Sequence, residues 1–175
     1  ASKSSKKVMW VVGRMVCRLW KDLLPSPTPP LPIVGPKRPN PNGRSFVVEV
    51  AKRGWVSLMQ WASKQNISFG KMSHDVLRAA AKYGHLHVLE WAKKQRWHMH
   101  DVIASGAAKG GHMEILKWFQ ETTNKKEWGS GVTGGAAKGG HLEILKWLRE
   151  QGADWSEYTC AYAAKKGHLD VLKWL

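Results

Sequence analysis

Four histidines, His85, His112, His141 and His168, each follow a glycine, at intervals of 27, 29 and 27 residues. Imidazole can bind a proton near neutral pH, donate a hydrogen bond or ligate a metal. Zinc would need its nitrogens about 2.0–2.1 Å away. Side chains that recur once per helical repeat are separated by one helix layer, roughly 8–10 Å. No two of these rings can therefore share an ion, and each reads as a structural turn residue. His98 and His100 form an isolated H-x-H, with His74 elsewhere and no third ligand at metal-binding spacing. Neither a metal nor a cofactor is expected.

The most suggestive column is cationic. Lys52, Lys82, Lys109, Lys138 and Lys165 each stand two residues before a glycine, near the end of a short Ala-rich segment. Stacked units would bring them into one ladder, and with Tyr83 and Lys166 beside it the ladder would form an anionic docking groove. The competing reading is that a cation in a helix's last turn meets the helix dipole, worth about 0.3–1 kcal/mol. Lys117, Lys146 and Lys173 differ from this column because each follows Glu114, Glu143 or Asp170 by three residues. A helix pairs such residues, whereas the inner column is expected to lack a built-in partner.

Tryptophan recurs too. Trp61, Trp91, Trp118, Trp147 and Trp174 hold one register, and Trp97, Trp128 and Trp155 hold another. Such rings can stack nucleobases, but repetition at a fixed register points to core packing. No Walker-type phosphate loop, nucleophile elbow or H-E-x-x-H occurs, so no enzyme is expected.

The 175 residues carry a net charge of +15, which favours anionic partners without naming them. Residues 1–45 hold nine Lys and Arg against the single acid Asp22. No apolar run approaches the roughly 18 residues that span a bilayer, so neither a membrane nor a small-molecule substrate is expected. Cys17 and Cys160 are the only cysteines, which excludes a disulfide framework and suits an intracellular setting, cytoplasmic or nuclear.

These residues must be positioned by repeated elements. "GAAKGGHMEILKWF" at 106–119 and "GAAKGGHLEILKWL" at 135–148 differ at two places. Alignment on the glycine finds five units, anchored at Gly54, Gly84, Gly111, Gly140 and Gly167. In the fourth, Leu142, Leu145 and Leu148 with Ile144 and Trp147 form a broad apolar helix face, while small residues in the segment that precedes it in each unit, such as Ala163 and Ala164 or Ala107 and Ala108, let a second helix approach closely. The glycine between them suits a left-handed helix end. Helices of about eight to twelve residues are marginal alone, so the fold class is all-α: an α-solenoid of stacked helix-turn-helix units. Gly134 and Gly135 inside a helix cost up to about 1 kcal/mol each relative to alanine, which makes that unit depend on its neighbours.

The alternation of "AA", two residues, "GHLE", a branched apolar pair, Lys and a bulky apolar residue resembles the ankyrin repeat, and "GAD" at 152–154 is similar to the turn after its outer helix. The resemblance covers residues 46–175 as five repeats, the last truncated. It implies a protein-protein interaction scaffold that docks an acidic partner on its inner-helix face. The period here is 27–30 residues instead of about 33, so the projecting β-hairpin fingers are expected to be reduced or absent. "TCAY", "VTGG" and "IASG" replace T-P-L-H, a divergence that resembles arrays of protists, algae and their large viruses.

Residues 25–45, which contain all eight prolines, read as a linker of polyproline II character. Residues 1–24 read as a basic amphipathic helical segment. Within it "GRMVCRLWKDLL" at 13–24 is similar to the closing helix of an F-box. That resemblance implies an alternative, a substrate-recognition subunit of an F-box ubiquitin ligase. A second alternative, a basic nucleic-acid-binding module, follows from net charge alone. Leu175 interrupts an outer helix that runs longer in the fourth unit, so the chain is expected to be a fragment.

Overall fold

A computed structural model describes residues 44–64, 69, 73–125 and 127–175. The N-terminal segment 1–24 and nearly all of the 25–45 linker lie outside the described residues. Among the described residues ten α-helices follow in order: α1 (Arg44–Lys52), α2 (Val56–Lys64), α3 (Ser73–Lys82), α4 (Leu86–Lys94), α5 (Val102–Gly110), α6 (Met113–Thr123), α7 (Ser130–Gly139), α8 (Leu142–Glu150), α9 (Glu157–Lys166) and α10 (Leu169–Trp174). Arg44 and Ser45, assigned by sequence to the linker, already belong to α1. The prolines end at Pro41, and nothing after it forbids helix.

The helices form five pairs. The odd-numbered inner helices pack on one another in chain order and each packs on its own outer partner. No strand occurs among the described residues, and six- or seven-residue connections such as 95–101 and 151–156 stand between successive pairs. The chain is an α-solenoid of ankyrin-like repeats without β-hairpin fingers in its described part.

Small residues make the inner stack. Ala51, Ala80, Ala81, Ala107, Ala108, Ala136, Ala137 and Ala163 are completely buried between layers. Outer helices contribute branched pairs, Val88 with Leu89, Ile115 with Leu116 and Ile144 with Leu145, each side chain worth about 1.5–3 kcal/mol on full burial.

The inner helices approach so closely that glycine becomes obligatory at particular points. A Cβ at Gly135 in α7 would lie 2.8 Å from the Ser105 carbonyl oxygen in α5, and one at Gly106 would lie 2.8 Å from the Arg78 carbonyl in α3. The sequence treats Gly135 only as a helix-weakening residue; the structure makes it a spacer between layers. At the helix ends Gly111 has φ +84°, and Gly54, Gly84, Gly140 and Gly167 adopt the same left-handed conformation, which costs an L-residue roughly 1–2 kcal/mol.

Candidate functional site

Each repeat histidine stands at the N-cap of its outer helix but makes no capping hydrogen bond from its side chain. Its ring reaches back one layer. Nε2–H of His85 donates to the Lys52 carbonyl at 2.7 Å, His112 to Lys82 at 3.1 Å, His141 to Lys109 at 3.2 Å and His168 to Lys138 at 3.2 Å. A carbonyl only accepts, so Nε2 carries the proton in this arrangement. Each ring also lies over the anchoring glycine of the preceding repeat. A Cβ at Gly111 would be 2.6 Å from the His141 ring, and Gly54, Gly84 and Gly140 meet His85, His112 and His168 equally closely. Glycine and histidine are thus two halves of one interlayer joint, which satisfies carbonyls that a helix end leaves without an intrahelical donor.

Burial lowers the His141 pKa from the usual histidine value, and charge on His112 and His168 would lower it further, against the raising effect of the Lys109 carbonyl. His87, which the sequence reading did not single out, donates from Nε2 to the Gly54 carbonyl at 2.8 Å. The second histidine of "GHLH" was the available signal.

The joints hold the ends of the inner helices, and those ends carry the lysines. Burial lowers the Lys109 pKa, and the positive charges of Lys138, Lys82, Lys166 and Arg78 lower it further. Four cations are therefore within electrostatic reach of Lys109. Among the described residues no carboxylate pairs with Lys82, Lys109, Lys138, Lys165 or Lys166. Lys52 departs from the expectation: its Nζ lies 3.3 Å from Glu49, which also binds Arg53 at 3.2 Å. Burial pushes the Glu49 carboxyl up, but hydrogen bonds and charge from Lys52 and Arg53 prevail and hold it below its ordinary value. A carboxylate three residues before Lys52 was legible and missed. In the outer column only Lys146 meets its expected partner among the described residues, Glu143 at 2.8 Å. Glu114 instead lies 3.8 Å from His112 Nδ1.

Exposed tyrosines accompany the inner lysines. Lys82 Nζ sits 5.1 Å above the Tyr83 ring and Lys138 Nζ 5.3 Å above Tyr162. Tyr158 and Tyr162 are neighbours along α9, their ring centroids 6.5 Å apart. Tyr83, Tyr158 and Tyr162 are 47%, 59% and 38% exposed, unusual for large side chains in this array.

Tryptophan placement is mixed. Trp91 and Trp128 are buried, while Trp61, Trp118, Trp147, Trp174 and Trp97 are half-buried against the core. Trp128 meets Trp147 edge-on at 5.4 Å, and Trp155 meets Trp174 at 5.2 Å while carrying Arg149 over its face at 4.8 Å.

Folding also unites the scattered histidines. The His74 and His100 rings lie 3.7 Å apart, and His98 and His100 4.3 Å apart. Burial and then charge on His74 and His98 lower the His100 pKa, against Asp101. Even so, no group of three metal-binding side chains among the described residues is arranged to hold an ion. Cys160 is exposed, and no described helix is long and apolar enough to cross a membrane.

No curated protein matches the chain. Residues 136–175, from the buried alanines of α7 through α10, match the model of the family described as ankyrin repeats (many copies).

Proposed function

We propose that residues 46–175 form an interaction scaffold that docks an acidic protein partner on the inner-helix face. Repeats of this family generally serve protein-protein interaction. The observation that carries the reading is the cluster of Lys82, Lys109, Lys138, Lys166 and Arg78, whose like charges act together on Lys109. Cations in a helix's last turn gain from the dipole singly, but crowding them opposes that gain. A partner that supplies carboxylates would relieve the repulsion. Lys165 and Tyr83 are proposed as further members; Lys52, which Glu49 pairs at 3.3 Å, is the weakest. The setting proposed is intracellular.

The test is binding of a polyglutamate peptide, a DNA duplex and a single-stranded RNA across a salt series, with the full chain and with a K82E/K109E/K138E variant. Docking predicts peptide binding that the variant loses at least tenfold. A duplex preference with a steep salt slope would favour the nucleic-acid alternative. Unchanged binding of every probe by the variant would remove the groove. The F-box alternative rests on the sequence at 13–24 and is tested separately, by copurification with the adaptor protein that F-boxes engage.

A further inference from the structure

We infer that the inner lysine ladder is built for an extended acidic segment in polyproline II conformation with a carboxylate at every third residue. This deepens the docking proposal above and rests on it. The first ground is spacing. Histidine joints at 2.7–3.2 Å tie every lysine carbonyl from Lys52 to Lys138 to the next layer. The ladder therefore advances one lysine per layer in a fixed register. Packed helices lie about 8–10 Å apart, and the glycine contacts at Gly106 and Gly135 leave no room for a Cβ between layers.

A polyproline II helix turns once in three residues with a rise of about 3.1 Å each, so one face returns every ~9.3 Å. A β-strand presents one face every two residues, about 6.6 Å, and falls out of step after one layer. Duplex DNA carries a charge about every 1.7 Å along its axis, with no correspondence to the ladder. An α-helix with glutamates seven residues apart would return about every 10.5 Å, and spacing alone does not separate it from polyproline II.

The tyrosines do. Extended proline-containing segments dock on aromatic surfaces, whose rings accept the flat faces of proline. Here Tyr83 stands beside Lys82 and Tyr162 beside Lys138, with Tyr158 next to Tyr162, all three rings substantially exposed. Lysine heads lying on ring faces are held in place at little entropic cost, ready for a carboxylate that slots between prolines. The chain's own proline-rich stretch, residues 25–45, is not the occupant: it carries Lys37, Arg38 and Arg44 and no acid, so its charge repels the ladder.

The test uses three labelled peptides of matched net charge with the full chain, read by fluorescence anisotropy. The first is a tandem repeat of the triplet Glu-Pro-Pro. The second is a block peptide of identical composition and length, with all its glutamates placed before all its prolines. The third is an Ala/Gln helix with glutamate at every seventh residue. The expected result is that the spaced peptide binds at least tenfold tighter than either other peptide. Y162A and K109Q/K138Q should each weaken it, with helical circular dichroism unchanged as the check on folding. Equal binding of spaced and block peptides would overturn the period while leaving acidic docking intact. Tighter binding of the helical peptide would overturn polyproline II as the bound form. Failure of all three to bind, or indifference to K109Q/K138Q, would overturn the docking proposal as well.

Discussion

Alanine substitution at two glycines of the same helix, Gly131 and Gly135 in α7, separates helix propensity from layer packing. By propensity alone each change should stabilise, by up to about 1 kcal/mol in a helix interior and less near an end. At Gly131, near the start of α7 and exposed, a Cβ would meet nothing within 4 Å, so a gain of about 0.5 kcal/mol is expected. At Gly135 the new methyl would lie 2.8 Å from the Ser105 carbonyl oxygen, about 0.6 Å inside ordinary contact. That oxygen is backbone within α5 and cannot rotate away, so α5 and α7 must separate or tilt. Overpacking of this kind costs about 1–3 kcal/mol, and the rigid neighbour argues for the upper half. Offset by the propensity gain, G135A should be destabilising by about 1–2 kcal/mol. In a repeat array stability is close to a sum of unit and interface terms, so the loss should appear in full at the α5–α7 interface. Urea denaturation followed by circular dichroism measures it, and hydrogen exchange locates it in α5 and α7. If G135A proves as stable as the parent, the close approach does not govern this position and the spacer role of Gly106 falls with it.

Three further outcomes follow from the same geometry. H141A removes the donor to the Lys109 carbonyl and the ring over Gly111, and should cost about 1–3 kcal/mol in chemical denaturation; an unchanged midpoint would deny the joint its role. The His141 pKa is lowered in the folded chain, by burial first, so folding favours the neutral ring and the unfolded chain binds the proton more readily. Its contribution should therefore be complete above about pH 6.5, the ordinary histidine value, and decline as pH falls through that value toward the folded pKa; denaturation midpoints measured from about pH 7.5 down to about pH 5 should show this in the parent and less of it in H141Q. The buried Trp128 Nε1–H has no hydrogen-bond partner among the described residues, so W128F should stay within about 1 kcal/mol of the parent because lost area is balanced by removal of an unsatisfied donor, whereas W128A should cost about 3–5 kcal/mol in the same measurement.

The residue pattern by itself determined the pairing of short helices, the order of the stack and the glycine that ends each inner helix. These depend on local chemistry: apolar periodicity assigns the helices, a left-handed turn selects glycine, and one recurring phrase demands one recurring interface. It also placed five lysines in one column, and the Glu49 partner of Lys52 was within reach of the same reasoning. Tertiary structure alone decided that each histidine bonds to the layer behind it instead of capping its own helix. It also made Gly106 and Gly135 spacers, gathered His74, His98 and His100 into one cluster, and set Tyr162 beneath Lys138. Each of these depends on how far a helix is rotated about its axis and how closely it meets a neighbour roughly 30 residues away. A repeat period gives the sequence of layers, but the rotation and separation of those layers are settled only when every side chain in the interface packs at once.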